Sequence, residues 1–133
     1  MGRYLEDARK LYQQALNELE RWQQTRDETL LRDAAEKAWG AVTQAANEVV
    51  EAYGRRVPSG TNARRDALNA LERQERQLRS LRLRTRFSDA ELVLHRDCFY
   101  DGTCPLALVT ETVVQDVKEY LDDVAQVTES RRR

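Results

Sequence analysis

The chain has 133 residues, of which 41% are apolar and 34% are charged, and its formal net charge is −1 at neutral pH. This length suits one domain spanning 1–133 with a hydrophobic core of its own. No apolar run approaches the roughly 18 residues of a membrane span, and no apolar signal region marks export, so we expect a cytoplasmic protein without membrane contact. Glycine (5) and proline (2) are scarce, which favours an all-α fold.

Two apolar stripes at three- and four-residue steps predict the first two helices. Helix one should run from about residue 3 to 23, and helix two from near Arg26 to about Tyr53. Thr25 and Glu28 have the spacing of a capping box, which places the start of helix two. The apolar stripe of helix two is rich in alanine, so a neighbouring helix can approach it closely. Trp22 and Trp39 lie on apolar stripes and are predicted to be large core residues.

A proline- and glycine-containing loop at 55–61 separates these helices from the rest. A third helix, capped by Thr61 or Asn62, has a thin leucine stripe and many arginines, so it should lie on the outside.

The sequence from 88 to 133 predicts two more helices and a tail. Ser88 to Glu91 has capping-box spacing again, so helix four should begin near Asp89 and stop at Gly102. Pro105 suits the first turn of a fifth helix, and 128–133 should fray. The expected fold is an antiparallel bundle of four long helices plus one short helix.

Charge is unevenly distributed along the chain. Residues 55–86 carry ten arginines against three acids, whereas 106–130 carry six acids against one lysine. A row of arginines on helix three is the strongest candidate for binding nucleic-acid phosphates: Arg73, Arg76, Arg79 and Arg82. Glu72 and Glu75 interrupt this row and no aromatic residue interleaves with it. A solvated helix face, or pairing with the acidic final helix, therefore stands as the alternative.

Two motifs together resemble a known family. Residues 33–42 read Asp-Ala-Ala-Glu-Lys-Ala-Trp-Gly-Ala-Val, and residues 94–102 read Leu-His-Arg-Asp-Cys-Phe-Tyr-Asp-Gly. They resemble the PaREP family of small helical proteins frequent in archaea, in which Glu is usual where Asp101 stands. That family looks like a branch of the HEPN superfamily of nucleotide-binding domains. The resemblance covers helices two to five and implies a HEPN-like bundle, often dimeric, with nucleotide or RNA contact.

Many HEPN domains are metal-independent ribonucleases that use an arginine followed, after four to six residues, by a histidine. This chain departs from that pattern, since eight residues separate Arg86 from His95 and Arg96 follows the histidine. A divergent ribonuclease would use His95 as acid and base, Arg86 or Arg96 to stabilise the phosphate, and Glu91, one turn earlier, to orient the imidazole. The alternative is a structural histidine between packed helices.

The cysteines leave three interpretations. Buried free thiols are the default for Cys98 and Cys104, and a disulfide between them or a zinc site with His95 are alternatives. No metal or other cofactor is predicted, because the chain has only three soft ligands and no Cys-x-x-Cys pair. The lack of a phosphate loop and of a nucleophile motif argues against most enzyme classes.

Three functions remain open. The first is a non-enzymatic interaction module, homodimeric through helix four, which is apolar nearly all round, with RNA or a nucleotide as ligand. The second is the divergent ribonuclease. The third is one subunit of a toxin–antitoxin or nucleotidyltransferase pair, since some HEPN proteins resemble such subunits.

Overall fold

A long helical hairpin opens the chain. The computed structural model describes residues 2–132. Helix α1 spans Arg3–Thr25 and α2 spans Glu28–Ala52, with only Arg26 and Asp27 between them. The backbone N–H of Leu5 donates to Glu48 near the far end of α2 (3.0 Å), so the two helices run antiparallel.

The rest of the chain packs around α2. Helix α3 spans Thr61–Gln74, and the single-turn α4 spans Arg76–Arg79. Two long helices complete the fold, and each contains a π-helical stretch. The first consists of α5 (Leu83–Ala90) followed by π1 (Glu91–Tyr100). The second consists of α6 (Leu106–Glu111), π2 (Thr112–Asp116) and α7 (Val117–Arg132). The predicted all-α class is confirmed, and residues 2–132 contain no strand.

Helix α2 is the centre of the bundle. It packs against α1, α7, α5 and π1, and six of its alanines are fully buried: Ala34, Ala35, Ala38, Ala41, Ala45 and Ala46. Because alanine extends no further than its methyl group, the surrounding helices can approach this backbone closely. The predicted close approach at the alanine stripe is therefore confirmed, and Trp22 and Trp39 lie in the core as expected.

A buried carboxylate ties the two ends of the chain to α2. The side chain of Glu48 is fully buried, with one oxygen accepting from the N–H of Leu5 and the other bound to the guanidinium of Arg132. A buried charge is stable only when paired and hydrogen-bonded, and both conditions are met here. Helix α7 continues to Arg132, and Thr128 is buried. The predicted fraying of 128–133 stays a prediction, and residue 133 lies outside the described residues.

Both predicted capping boxes are wrong. Helix α2 is capped by Asp27, whose carboxylate accepts from the N–H of Thr29 (3.0 Å), while the Thr25 hydroxyl donates to the Arg21 carbonyl. No helix begins at Ser88, because α5 has already started at Leu83 and continues into π1. Asp27 is the better cap because a carboxylate at the N-terminus also favours the helix dipole.

The predicted third helix is broken. Glu75 has extended backbone angles between α3 and α4, and Arg82 adopts the left-handed conformation (φ 52°) before α5. The side chain of Arg79 donates to the carbonyls of Glu72 (3.3 Å) and Arg73 (3.1 Å), which supplies partners for the exposed end of α3. A helical pattern of leucines therefore spans two helices and a turn.

No helix within residues 2–132 combines the length and apolar character needed to cross a membrane.

The role of the alanines in α2 can be tested by overfilling one position. Ala45→Leu should lower the free energy of unfolding by about 1–3 kcal/mol, because the added carbons have no space beside a fully buried methyl group. Ala63→Leu on the exposed face of α3 is the matched control and should change it by less than about 0.5 kcal/mol. Urea denaturation of both variants makes the comparison, and equal stabilities would contradict the close packing around α2.

Candidate functional site

His95 pairs with a carboxylate from a different helix. Its Nδ1 lies 2.8 Å from Oε1 of Glu36 on α2, and the two side chains are 31% and 33% exposed. An ionised carboxylate only accepts hydrogen bonds, so the imidazole donates from Nδ1. In the neutral ring the lone pair then resides on Nε2, which has no hydrogen-bond partner among residues 2–132. The pair can accept or deliver a proton at Nε2.

Aromatic rings surround this pair. The imidazole stacks with Trp39 (centroids 5.9 Å apart) and Phe99 (6.2 Å), and Tyr100 meets it edge-on at 6.1 Å. Trp39 also packs against Phe87 at 4.9 Å, so the core holds one side of the cluster. Tyr100 is 73% exposed, which leaves its ring on the surface. The histidine is thus held firmly in a small aromatic cluster.

The end of π1 is fastened to the start of α2. Arg32 donates from Nε to the carbonyl of Phe99 (3.0 Å) and from Nη2 to that of Tyr100 (3.3 Å). These two carbonyls lie at the end of a helix, where the backbone supplies no partner, so the guanidinium satisfies them. The contact fixes π1 antiparallel to α2 and places His95 opposite Glu36.

The two cysteines form a disulfide between Cys98 and Cys104, with Cα atoms 4.4 Å apart. The predicted free thiols are therefore wrong. Gly102 has φ +71°, a conformation that glycine adopts readily, and this turn folds Cys104 back onto π1. Because both sulfur atoms are in the disulfide, neither can bind the zinc ion of the alternative interpretation. No group of three metal-binding side chains occurs in the described part of the chain.

The other residues of the ribonuclease hypothesis lie apart from His95. Glu91 is paired with Arg65 rather than with the imidazole. The guanidinium of Arg86 binds Asp123 of α7 (2.9 Å), and exposed Arg96 borders a separate depression with Arg65 and Glu91. The structure therefore does not assemble Glu91, Arg86 or Arg96 around the histidine.

All four arginines predicted to bind nucleic acid are exposed. Arg73, Arg76, Arg79 and Arg82 lie between the end of α3 and the start of α5, a region called here the arginine turn. They do not form the predicted row along one helix, because the helix is broken. Within residues 2–132 none of the four forms an ion pair, so the alternative of pairing with the acidic final helix does not hold for them.

Sequence reasoning missed Glu36 and Arg32 as partners of the His95 segment. Glu36 belongs to the first of the two motifs and lies three residues before Trp39, so both side chains share one face of α2. That spacing was a usable signal, since the second motif supplies the histidine that both contact. Arg32 carried no comparable signal, because its acceptors are backbone carbonyls.

Comparison with known proteins identifies the family. A sequence model of the archaeal PaREP1/PaREP8 family matches residues 3–124. The chain belongs to the PaREP1/PaREP8 family. No curated protein and no solved structure matches it.

The matched region contains both motifs and every residue of the histidine cluster. The predicted PaREP resemblance is therefore confirmed at the level of the family. The last part of α7, which includes Arg132 and its contact to Glu48, lies beyond the match.

The disulfide can be tested by removing it. Replacing both Cys98 and Cys104 with serine should lower the free energy of unfolding by about 2 kcal/mol, because the closed loop is short. A reductant should destabilise the native protein similarly in urea denaturation and leave the double variant unchanged, which controls for unrelated effects. If reductant left the stability of the native protein unchanged, that result would contradict the disulfide.

Proposed function

We propose that this chain is a non-catalytic helical binding module that contacts single-stranded RNA through the arginine turn. The observation that carries the proposal is the exposure of Arg73, Arg76, Arg79 and Arg82 without acidic partners among the described residues. Arginines that are not neutralised within the protein attract phosphate, and each contact with RNA releases counterions. The HEPN-like arrangement expected from the family resemblance is part of the same proposal.

Two local features support the arginine turn as a phosphate-binding surface. Glu72, one of the two acids expected to interrupt the row beside Glu75, accepts a hydrogen bond from the backbone N–H of Arg84 (2.8 Å) at the start of α5. Arg82 has a positive φ, which costs a side-chain-bearing residue about 1 kcal/mol relative to glycine. An arginine at a position that favours glycine is consistent with a use for its side chain.

The salt dependence of RNA binding tests the proposal. Replacing Arg73, Arg76 and Arg82 together with alanine should weaken binding at least roughly tenfold, and should reduce the slope of log affinity against log salt by about 2. Arg79 is left in place because its side chain supports the end of α3. Fluorescence anisotropy with a labelled single-stranded RNA, in the presence of a chelator, measures both quantities.

A matched control removes three exposed cations from α1. Replacing Arg3, Lys10 and Arg21 with alanine changes the net charge equally on a different helix. This variant should keep the native slope. Equal losses of RNA affinity in both variants would show that only general charge attraction is at work, and would contradict a binding surface at the arginine turn.

A homodimer is the proposed assembly. The large aliphatic residues that remain exposed within residues 2–132 all lie on π1 and on the helix that begins with α6: Leu92, Leu106, Leu108 and Val114, each 43–47% exposed. Of these four, Leu106 and Val114 lie together at one depression, and exposed apolar surface of this kind marks interaction sites. Leu106 and Val114 border a shallow depression on the outer side of α6 and π2, next to the predicted helix-four interface.

Light scattering at micromolar concentration tests the dimer. The native protein should have twice the mass of one chain, and Leu106→Asp with Val114→Asp should give the single-chain mass, because the charges would be buried at the interface. Gln13→Asp with Gln23→Asp on exposed positions of α1 is the control and should stay dimeric. A native protein of single-chain mass would contradict the assembly.

The ribonuclease is the second candidate, and the contact between His95 and Glu36 is the observation that favours it. A histidine oriented by a carboxylate is suited to general acid–base catalysis. Under this candidate, His95→Ala and Glu36→Gln would each lower metal-independent RNA cleavage by at least about 100-fold. Under the first proposal the native protein leaves labelled RNA intact, and a gel time course distinguishes the two.

A further inference from the structure

An apolar groove separates the two long helices that contain the π segments. One wall comes from α5 and π1, including Leu92 and Val93, and the other from α6, π2 and α7, including Leu108 and Val117. Its volume is about 420 Å³, and Val42 of α2 contributes to its lining. π-helical stretches occur frequently at functional sites, and here one stretch borders each wall. Neither the histidine cluster nor the arginine turn lies in this groove.

The rim of the groove is acidic and lacks neutralising partners. Asp89, Asp116 and Glu119 line it from three different elements, and none of them forms an ion pair with any residue in 2–132. Arg86 is the one cation among the lining residues, and its guanidinium is occupied by Asp123 and by the ring of Tyr120. The groove therefore combines an apolar lining with an excess of negative charge.

The electrostatics of Asp116 agree with this excess. Partial burial raises the pKa of its carboxyl above the ordinary value, and repulsion from Glu111 and Glu119 raises this pKa further. Arg86 opposes the rise but does not cancel it. A bound cation would relieve this repulsion, so the groove favours a positively charged occupant.

The spacing of the acids selects an extended cation over a metal ion. Within the described residues, no three carboxylates come close enough together to coordinate one ion. Asp89 lies on the α5 wall, whereas Asp116 and Glu119 lie three residues apart on the facing wall, and the lining of the groove also contains leucine and valine. Separated positive charges joined by an apolar chain match this arrangement, whereas a single point charge would reach only one or two of the acids.

The size of the groove selects a small ligand over a protein. A helix with its side chains is roughly 10 Å wide, and a stable protein partner covers about 800 Å². Small-molecule sites typically occupy roughly 300–1,000 Å³ and are apolar with a few polar groups, a description that fits this groove.

We propose that this groove binds an aliphatic polyamine. The methylene segments pack against Leu92, Leu108 and Val117, and the ammonium groups bind the carboxylates of Asp89, Asp116 and Glu119. Both the methylene segments and the ammonium groups contribute to binding, since burying methylenes is favourable and the ammonium groups form charge-assisted hydrogen bonds at the rim. This site is independent of the proposed RNA contact, and the two can fail separately.

Calorimetry of the full chain without RNA tests the site, with spermidine as the probe and magnesium chloride at equal total charge as the comparison. The native protein should bind one spermidine with measurable heat at about 0.15 M ionic strength, where non-specific attraction is screened. Magnesium should produce no comparable saturation. Failure of spermidine to bind, or competition by magnesium at equal charge, would overturn the proposal.

Variants of the rim locate the ligand. Asp89→Asn with Asp116→Asn preserves side-chain shape and should weaken spermidine binding at least tenfold. Glu6→Gln with Asp7→Asn, on exposed positions of α1, is the matched control and should bind as the native protein does. Equal weakening by both pairs would show charge attraction alone and would overturn the site.

A further variant separates the apolar contribution from the charge. Leu92→Ser removes exposed apolar surface from the groove without changing any charge, and it should weaken spermidine binding several-fold. Unchanged affinity in this variant would contradict packing of the methylene segments in the groove. Tighter binding of a basic amphipathic peptide than of spermidine would likewise overturn the proposal, because it would assign the groove to a protein partner.

Discussion

Close packing around the alanine-rich helix α2 is the constraint on which the rest of the structure depends. Fully buried alanines let α1, α5, π1 and α7 approach one central backbone. Once these helices surround α2, its few larger polar side chains must find partners on them. Glu48 does so with the two ends of the chain, and Glu36 does so with His95. The histidine cluster is thus a consequence of the same packing that forms the core.

The all-helical class, the approximate limits of α1 and α2 and the start of α6 could be predicted from sequence, because apolar periodicity and glycine or proline stops are local signals. The break between α3 and α5 could not. It depends on Arg79 reaching back to the carbonyls of Glu72 and Arg73, a contact that leaves no trace in hydrophobic spacing. The capping box predicted at Ser88 was wrong for a related reason, since the side chains of Ser88 and Glu91 both bind Arg65 of another helix.

The candidate site was only half predictable. Sequence identified His95, but it assigned the nearest acid along the helix, Glu91, as partner, whereas tertiary packing supplies Glu36 from 59 positions away. The cysteines show the same limit, because the turn at Gly102 decides that they meet. The arginines were easier to identify, since exposure of a long charged side chain requires no specific partner. Where they lie in space still depended on the helix break.

The structure separates three surfaces that a linear sequence mixes together: the arginine turn, the histidine cluster and the acidic groove. The central claim is that RNA uses the first of these. The most direct measurement is a titration of the isotope-labelled protein with a short single-stranded RNA, followed by amide chemical shifts. The account predicts changes concentrated at residues 73–82, with little change at His95 and Tyr100. Changes centred on the histidine cluster, or none at saturating RNA, would contradict it.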